Sequence, residues 1–128
     1  MTIITAPSMT DTVYQGPQGN LSVAEGWYPF SGAEKTGDTI ELLALPIGMR
    51  IYGVNVVSEA LGGYLSIQLN GTTLVSSSNY VFAVAKYVPI KPYSTKVPGE
   101  KLTVTIGSNS GAVRGLLTVS LFYTAVGY

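Results

Sequence analysis

Asp38 and Glu41 are the two carboxylates nearest each other in this 128-residue chain. A pair of carboxylates flanking a glycosidic bond is the one acid–base device the sequence could offer. On an extended strand, residues three apart point to opposite faces, so this pair does not converge. The other five acids, Asp11, Glu25, Glu34, Glu59 and Glu100, lie singly. Histidine and cysteine are both absent. The side chain whose unperturbed pKa lies nearest neutrality is therefore missing. With it go the Ser–His and Cys–His nucleophiles and the usual zinc ligands. No Gly-rich phosphate loop and no clustered acidic calcium loop occurs. These residues predict a protein without enzymatic turnover, without a metal and without a cofactor.

Two stretches suggest binding instead. "EGWYPF" offers Trp27 and Tyr28, with Phe30 close by, and flat aromatic rings suit sugars; a lone Trp in a small β domain otherwise packs into a core or an interface. "KYVPIKPYSTKVPGEK" (Lys86–Lys101) interleaves four Lys with Tyr87 and Tyr93. Such a pattern can track a nucleic-acid backbone. Its three prolines and wide spacing fit better an extended edge strand, where Lys and Pro blunt an exposed edge. The formal net charge is zero, which argues against a dedicated nucleic-acid partner.

The elements that must carry these residues read as strands. "DTIELLALPIGMRIYGVNVV" holds Asp38, Glu41 and Arg50, which a membrane span would not tolerate. Pro46 and Gly48 disfavour a buried helix. Two strands, Asp38–Leu45 and Met49–Ser58, joined by an "LPIG" corner, satisfy both constraints. Strict alternation follows in "YLSIQLNG", in "KLTVTIG" and in "GLLTVSLFYTAV". Asn70-Gly71 is a strong two-residue hairpin signal. "LSVAEGWYPF" (Leu21–Phe30) and "YVFAVAKYV" (Tyr80–Val88) are further strands. The spacing predicts about eight strands and an all-β, two-sheet β-sandwich, a jelly roll, with at most a turn or two of helix. The alternation predicts a core of Ile40, Leu42, Ile51, Leu65, Ile67, Leu69, Leu102, Val104, Ile106, Leu117, Val119 and Leu121.

Residues 20–128 form the single sandwich domain of this reading, and 1–19 an N-terminal arm or edge strand. The arm has scattered apolar residues, Ile3, Ile4, Met9, Val13 and Tyr14, which are candidate contacts to a neighbour. Pro7 and Pro17 bias it toward extended conformations, which can add to a sheet edge. Only 11% of the chain is charged, against about 25% in ordinary soluble domains, which suggests a surface covered by neighbours. The first 64 residues hold six acids and two bases, the last 64 five bases and one acid. Either the fold mixes the halves, or opposite patches let copies meet head to tail. No secretory signal is visible, so the expectation is a protein made in a cytosol, with no membrane and no nucleic acid.

"GDTIELLALPIGMRIYGVNVVSEALGG", "LSIQLNG" and the final "GLLTVSLFYTAV" resemble the head decoration, or cement, proteins of tailed bacteriophages. In that family a G-D-x-I-x-L-x-x-L-P-x-G strand–corner–strand precedes a Val-rich strand, an acidic-small-Leu-Gly turn and a closing hydrophobic strand. The resemblance covers Gly37–Leu69 and Leu116–Val126, about a third of the chain, and its motifs are structural. It implies a virion protein on the capsid surface, with the major capsid protein and further copies of itself as partners. Small homo-oligomers are usually cyclic, and the resemblance, whose members often sit on capsid symmetry axes, implies a trimer as the first expectation and a dimer as the next. A tail or fibre component, and a carbohydrate-binding sandwich using Trp27 and Tyr28, are the alternatives.

Overall fold

The computed structural model describes residues 3–10, 21–32, 34–79, 84–107 and 113–125. Within them lie nine strands: β1 (Ile3–Thr5), β2 (Leu21–Ser31), β3 (Thr39–Leu45), β4 (Met49–Ser58), β5 (Tyr64–Leu69), β6 (Thr72–Asn79), β7 (Val84–Ser94), β8 (Glu100–Ile106) and β9 (Arg114–Ala125). One 3-10 turn, Pro7–Thr10, is the only helical element among the described residues. One sheet has the order β1-β3-β8-β5-β6 and the other β2-β9-β4-β7. From β2 onward the chain weaves between the sheets, leaving each with four antiparallel strands; this is the jelly roll. β1 is added in parallel to the outer edge of β3.

Local chemistry explains the turns. At the "LPIG" corner Gly48 takes φ +93°, which a Cβ would oppose, and the chain crosses from the five-stranded to the four-stranded sheet. Thr95, fully buried, holds this corner: its hydroxyl donates to Pro46 O (2.9 Å) and accepts the Met49 N–H (3.1 Å). At the β5–β6 hairpin Asn70 and Gly71 have φ +49° and +83°, the two positive angles a type I′ turn requires.

All twelve core positions expected from alternation are buried, none more than 3% exposed. They pack between the sheets with Phe30, Leu45, Met49, Val54, Val56 and Tyr123. Leu42 and Leu43 are adjacent and yet both buried, because the β3–β8 register shifts between Glu41 and Leu43. A bulge of this kind turns a second side chain inward. Residues 80–83 of the expected "YVFAVAKYV" strand lie outside the described residues, and β7 runs on instead to Ser94. β7 is an edge of its sheet, as its Lys and Pro content predicts. The charge halves are interleaved: both sheets take strands from each half, and Lys101 of β8 pairs with Glu41 of β3 at 3.1 Å.

The N-terminal segment is an edge strand over Ile3–Thr5. Beyond it Ala6 is buried, and Ser8, with no exposed surface, sits between β2 and β3. The Ser8 hydroxyl accepts the Trp27 N–H (3.0 Å) and donates to Leu42 O (2.7 Å), with Trp27 O at 3.2 Å. One small polar side chain thus closes the seam between the two sheets on this flank.

Candidate interaction site

The two outer faces of the sandwich differ in chemistry. On the five-stranded sheet, Thr39, Thr103, Thr105 and Gln68 form a hydroxyl–amide ladder across β3, β8 and β5. Thr105 donates to Gln68 Oε1 at 3.1 Å and Thr103 at 3.4 Å, and the Thr39 and Thr105 hydroxyls lie 3.4 Å apart. These polar groups hydrogen-bond to one another across the sheet.

The four-stranded sheet carries five of the eight large apolar side chains that are exposed among the described residues: Leu21, Val23, Val57, Tyr87 and Leu116. The register sets them in rows. Val23 lies beside Phe122, and Thr118 stands between Trp27 and Val57. Tyr87 stacks on Phe122 with centroids 5.3 Å apart and planes 23° from parallel. Arg50 lies 6.0 Å from the centroid of the Tyr52 ring. An aromatic, Arg-bearing and otherwise sparsely charged face has the composition of a protein interface rather than of ordinary surface.

A groove of about 520 Å³ opens on the flank between β6 and β7. Leu74, Ile90 and Tyr93 line it and pack against the core. The opposite flank is the one that the N-terminal segment seals through Ser8.

Carboxylates that sequence reasoning left unassigned are used to hold turns. Glu34 accepts the amide N–H groups of Ser31 and Gly32 (both 3.1 Å) and the Tyr28 hydroxyl. Burial pushes its carboxyl up, but the Tyr28 hydroxyl and these amides outweigh that and leave it below the ordinary value. Burial, then the Glu34 carboxylate, pushes the Tyr28 phenol up to about 12. Glu100, 2% exposed, accepts the Tyr93 hydroxyl and the amides of Lys96 and Val97. Burial again raises its carboxyl, and Tyr93 and the two amides bring it below the ordinary value. The hydrogen bond to Glu100 raises the Tyr93 phenol, and burial adds to this. Asp38 accepts the Lys35 amide at 2.9 Å. Oxygens committed to backbone amides are poorly placed to move protons to a substrate. Among the described residues no cluster of three acidic side chains is arranged to hold a metal.

The expected site residues are distributed as follows. Trp27 and Tyr28 do not form one platform, because adjacent strand residues face opposite sides. Trp27 is half-buried on the outer face, while Tyr28 turns inward and meets Phe30 edge-on at 4.9 Å. Ile3 is 62% exposed at the free edge of β1, Ile4 packs against the core, and Met9 is half-buried in the 3-10 turn. Val13 and Tyr14 lie outside the described residues. Sequence reasoning missed the β6–β7 groove and Ser8, since a Ser in a polar stretch gives no local signal of burial.

The fold and its surfaces define an all-β jelly-roll domain with one polar face and one apolar, aromatic face. No family model and no curated protein matches the sequence. Solved structures match it at full length. A chain in the capsid of Ralstonia phage GP4 superposes with a TM-score of 0.77 at 15% identity, covering 98% of this chain and 99% of that one. A chain of the cyanophage Pam1 capsid asymmetric unit gives 0.75 at 18% identity, covering 93% and 94%. A chain of the acid-stable capsid of Helicobacter pylori bacteriophage KHP30 gives 0.56 at 14% identity, covering 87% and 92%. These likenesses establish a shared fold.

Proposed function

We propose that this chain is a non-enzymatic structural protein of a phage virion, bound to the outside of the capsid as a small cyclic oligomer, trimer first and dimer next, that decorates and cements the shell. The observation that carries the reading is the end-to-end likeness to chains of two phage capsids, in which nearly the whole of each chain is this one domain. The division between a polar face and an apolar, aromatic face supports it. One surface suits solvent, the other suits covered contact. Turn-holding carboxylates in place of a catalytic pair agree with a structural role.

The mechanism is mass action. A ligand that binds only the assembled shell stabilises it against disassembly. Many equivalent modest contacts add through multivalency. The major capsid protein is the partner, and Ile3, exposed at the edge of β1, is the arm residue placed to reach it. The test is to add the purified protein to shells that lack it. Saturable, stoichiometric co-sedimentation and a higher temperature of shell disruption are expected. Binding to purified tails and not to shells would replace this reading with a tail or fibre role.

A further inference from the structure

β2 and β7 are the two opposite edges of the four-stranded sheet, and their chemistries are complementary. On the outer side of β2, Leu21 and Val23 are 69% and 53% exposed, and Glu25, exposed beside them, is the one charged residue of the strand. Residues two apart on a strand share a face about 7 Å apart, so the three form one strip of two aliphatic knobs and a carboxylate. At the other edge the groove between β6 and β7 is walled by Leu69, Leu74, Pro89, Ile90 and Tyr93, and Lys91 is its one charged lining residue.

Main-chain pairing does not fill this flank. Pro89 and Pro92 lack the N–H a further strand would need on β7. The register of β6 against β5 shifts twice, between Leu65 and Ile67 and between Ile67 and Gln68, and such bulges turn an edge away from new partners. A ligand whose side chains are apolar with a negative charge beside them suits this flank.

We propose that the β2 strip of a second copy of this chain seats in the β6–β7 groove, Leu21 and Val23 against its apolar walls and Glu25 against Lys91. The inference rests on the proposed self-association and gives it a surface. Because knob and groove lie on opposite edges of one sheet, every copy offers one and accepts one. The contact is head to tail, which gives a ring of three or more copies where the rotation between copies closes, as the proposed cyclic oligomer requires. The exposed apolar strip of β2 and the apolar groove between β6 and β7 are then covered by a single interface.

The test uses the full chain in solution, away from shells, by sedimentation velocity and light scattering. A discrete complex of three or more copies is expected. Glu25→Lys weakens it by roughly tenfold or more through like-charge apposition with Lys91, and adding Lys91→Glu restores it. Both positions are exposed, so circular dichroism and the melting curve of the dissociated protein stay unchanged. Val23→Asp, which removes a knob, gives monomers. A wild-type monomer at tens of micromolar, a two-fold dimer, or a double charge reversal no better than the single one overturns the proposal. Shell binding is measured separately. A ring that ignores shells counts against the decoration role and leaves the interface standing; a shell-binding protein indifferent to the charge reversal does the opposite.

Discussion

Removing the Ser8 hydroxyl tests whether the N-terminal segment belongs to the fold. Ser8→Ala deletes one acceptor and one donor at a position with no exposed surface. Leu42 O, its partner at 2.7 Å, is left in a buried setting, and such an orphan costs about 1–3 kcal/mol. The Trp27 N–H, at 3.0 Å, is partly buried, so water recovers some of its loss. The sum is ~2–3 kcal/mol, which for a domain of this size lowers the melting temperature by roughly 10 °C. Urea unfolding, followed by Trp27 fluorescence and by circular dichroism, gives the free energy. Ala at exposed Thr73 is the control, where a change within about 0.5 kcal/mol is expected. Deleting residues 2–12 removes β1 together with Ser8 and lowers the melting temperature further. If Ser8→Ala costs less than ~0.5 kcal/mol and the deletion leaves the melting temperature in place, the seam is not held as described and the segment is free to act as a docking arm.

Ile67 is fully buried at the centre of β5, and Ile67→Ala is expected to cost about 2–5 kcal/mol in chemical denaturation; a loss under ~1 kcal/mol contradicts its packing between the sheets. A Cβ at Gly26 would lie 2.8 Å from Leu42 Cβ and 3.2 Å from Leu43 Cγ, so Gly26→Ala overpacks the core and costs ~1–3 kcal/mol, and wild-type stability in the variant would refute the close approach. The Glu100 carboxyl is held below its ordinary value of 4.5, so its contribution is present above that value and lost as the pH falls through the folded-state value. Melting temperature followed from pH 6 downward should therefore drop near and below about pH 4.5, less steeply in Glu100→Gln, which is already destabilised at neutral pH; identical pH profiles would show that Glu100 is not the group responsible. The Ser58 hydroxyl is buried and has no hydrogen-bond partner among the described residues, so Ser58→Ala is expected to leave stability unchanged or raise it by up to ~1 kcal/mol, and a marked loss would reveal a partner.

The sequence by itself determined which way most side chains point. Alternation in Tyr64–Leu69, Glu100–Ile106 and Arg114–Ala125 is a two-residue rule, written into neighbouring positions, and in these three strands it identified nine core residues correctly. Asn70-Gly71 specified its hairpin because the required positive angles are a property of those two residues. The missing His and Cys limited the chemistry before any fold was known. Tertiary structure alone decided what depends on distant partners. Alternation says that a strand has an inner face, not which strand lies beside it; β2 pairs with β9 almost a hundred positions away. Leu43 is buried because β8 imposes a bulge, and Ser8 because β2 and β3 bring an N–H and a carbonyl to its hydroxyl. Glu100 is buried because Tyr93 and a turn supply three donors to one carboxylate. The groove exists only because the last strand of one sheet and the last strand of the other end on the same flank. Burial of a polar group and the shape of a flank are long-range outcomes, since both depend on atoms that the chain brings together from separate strands.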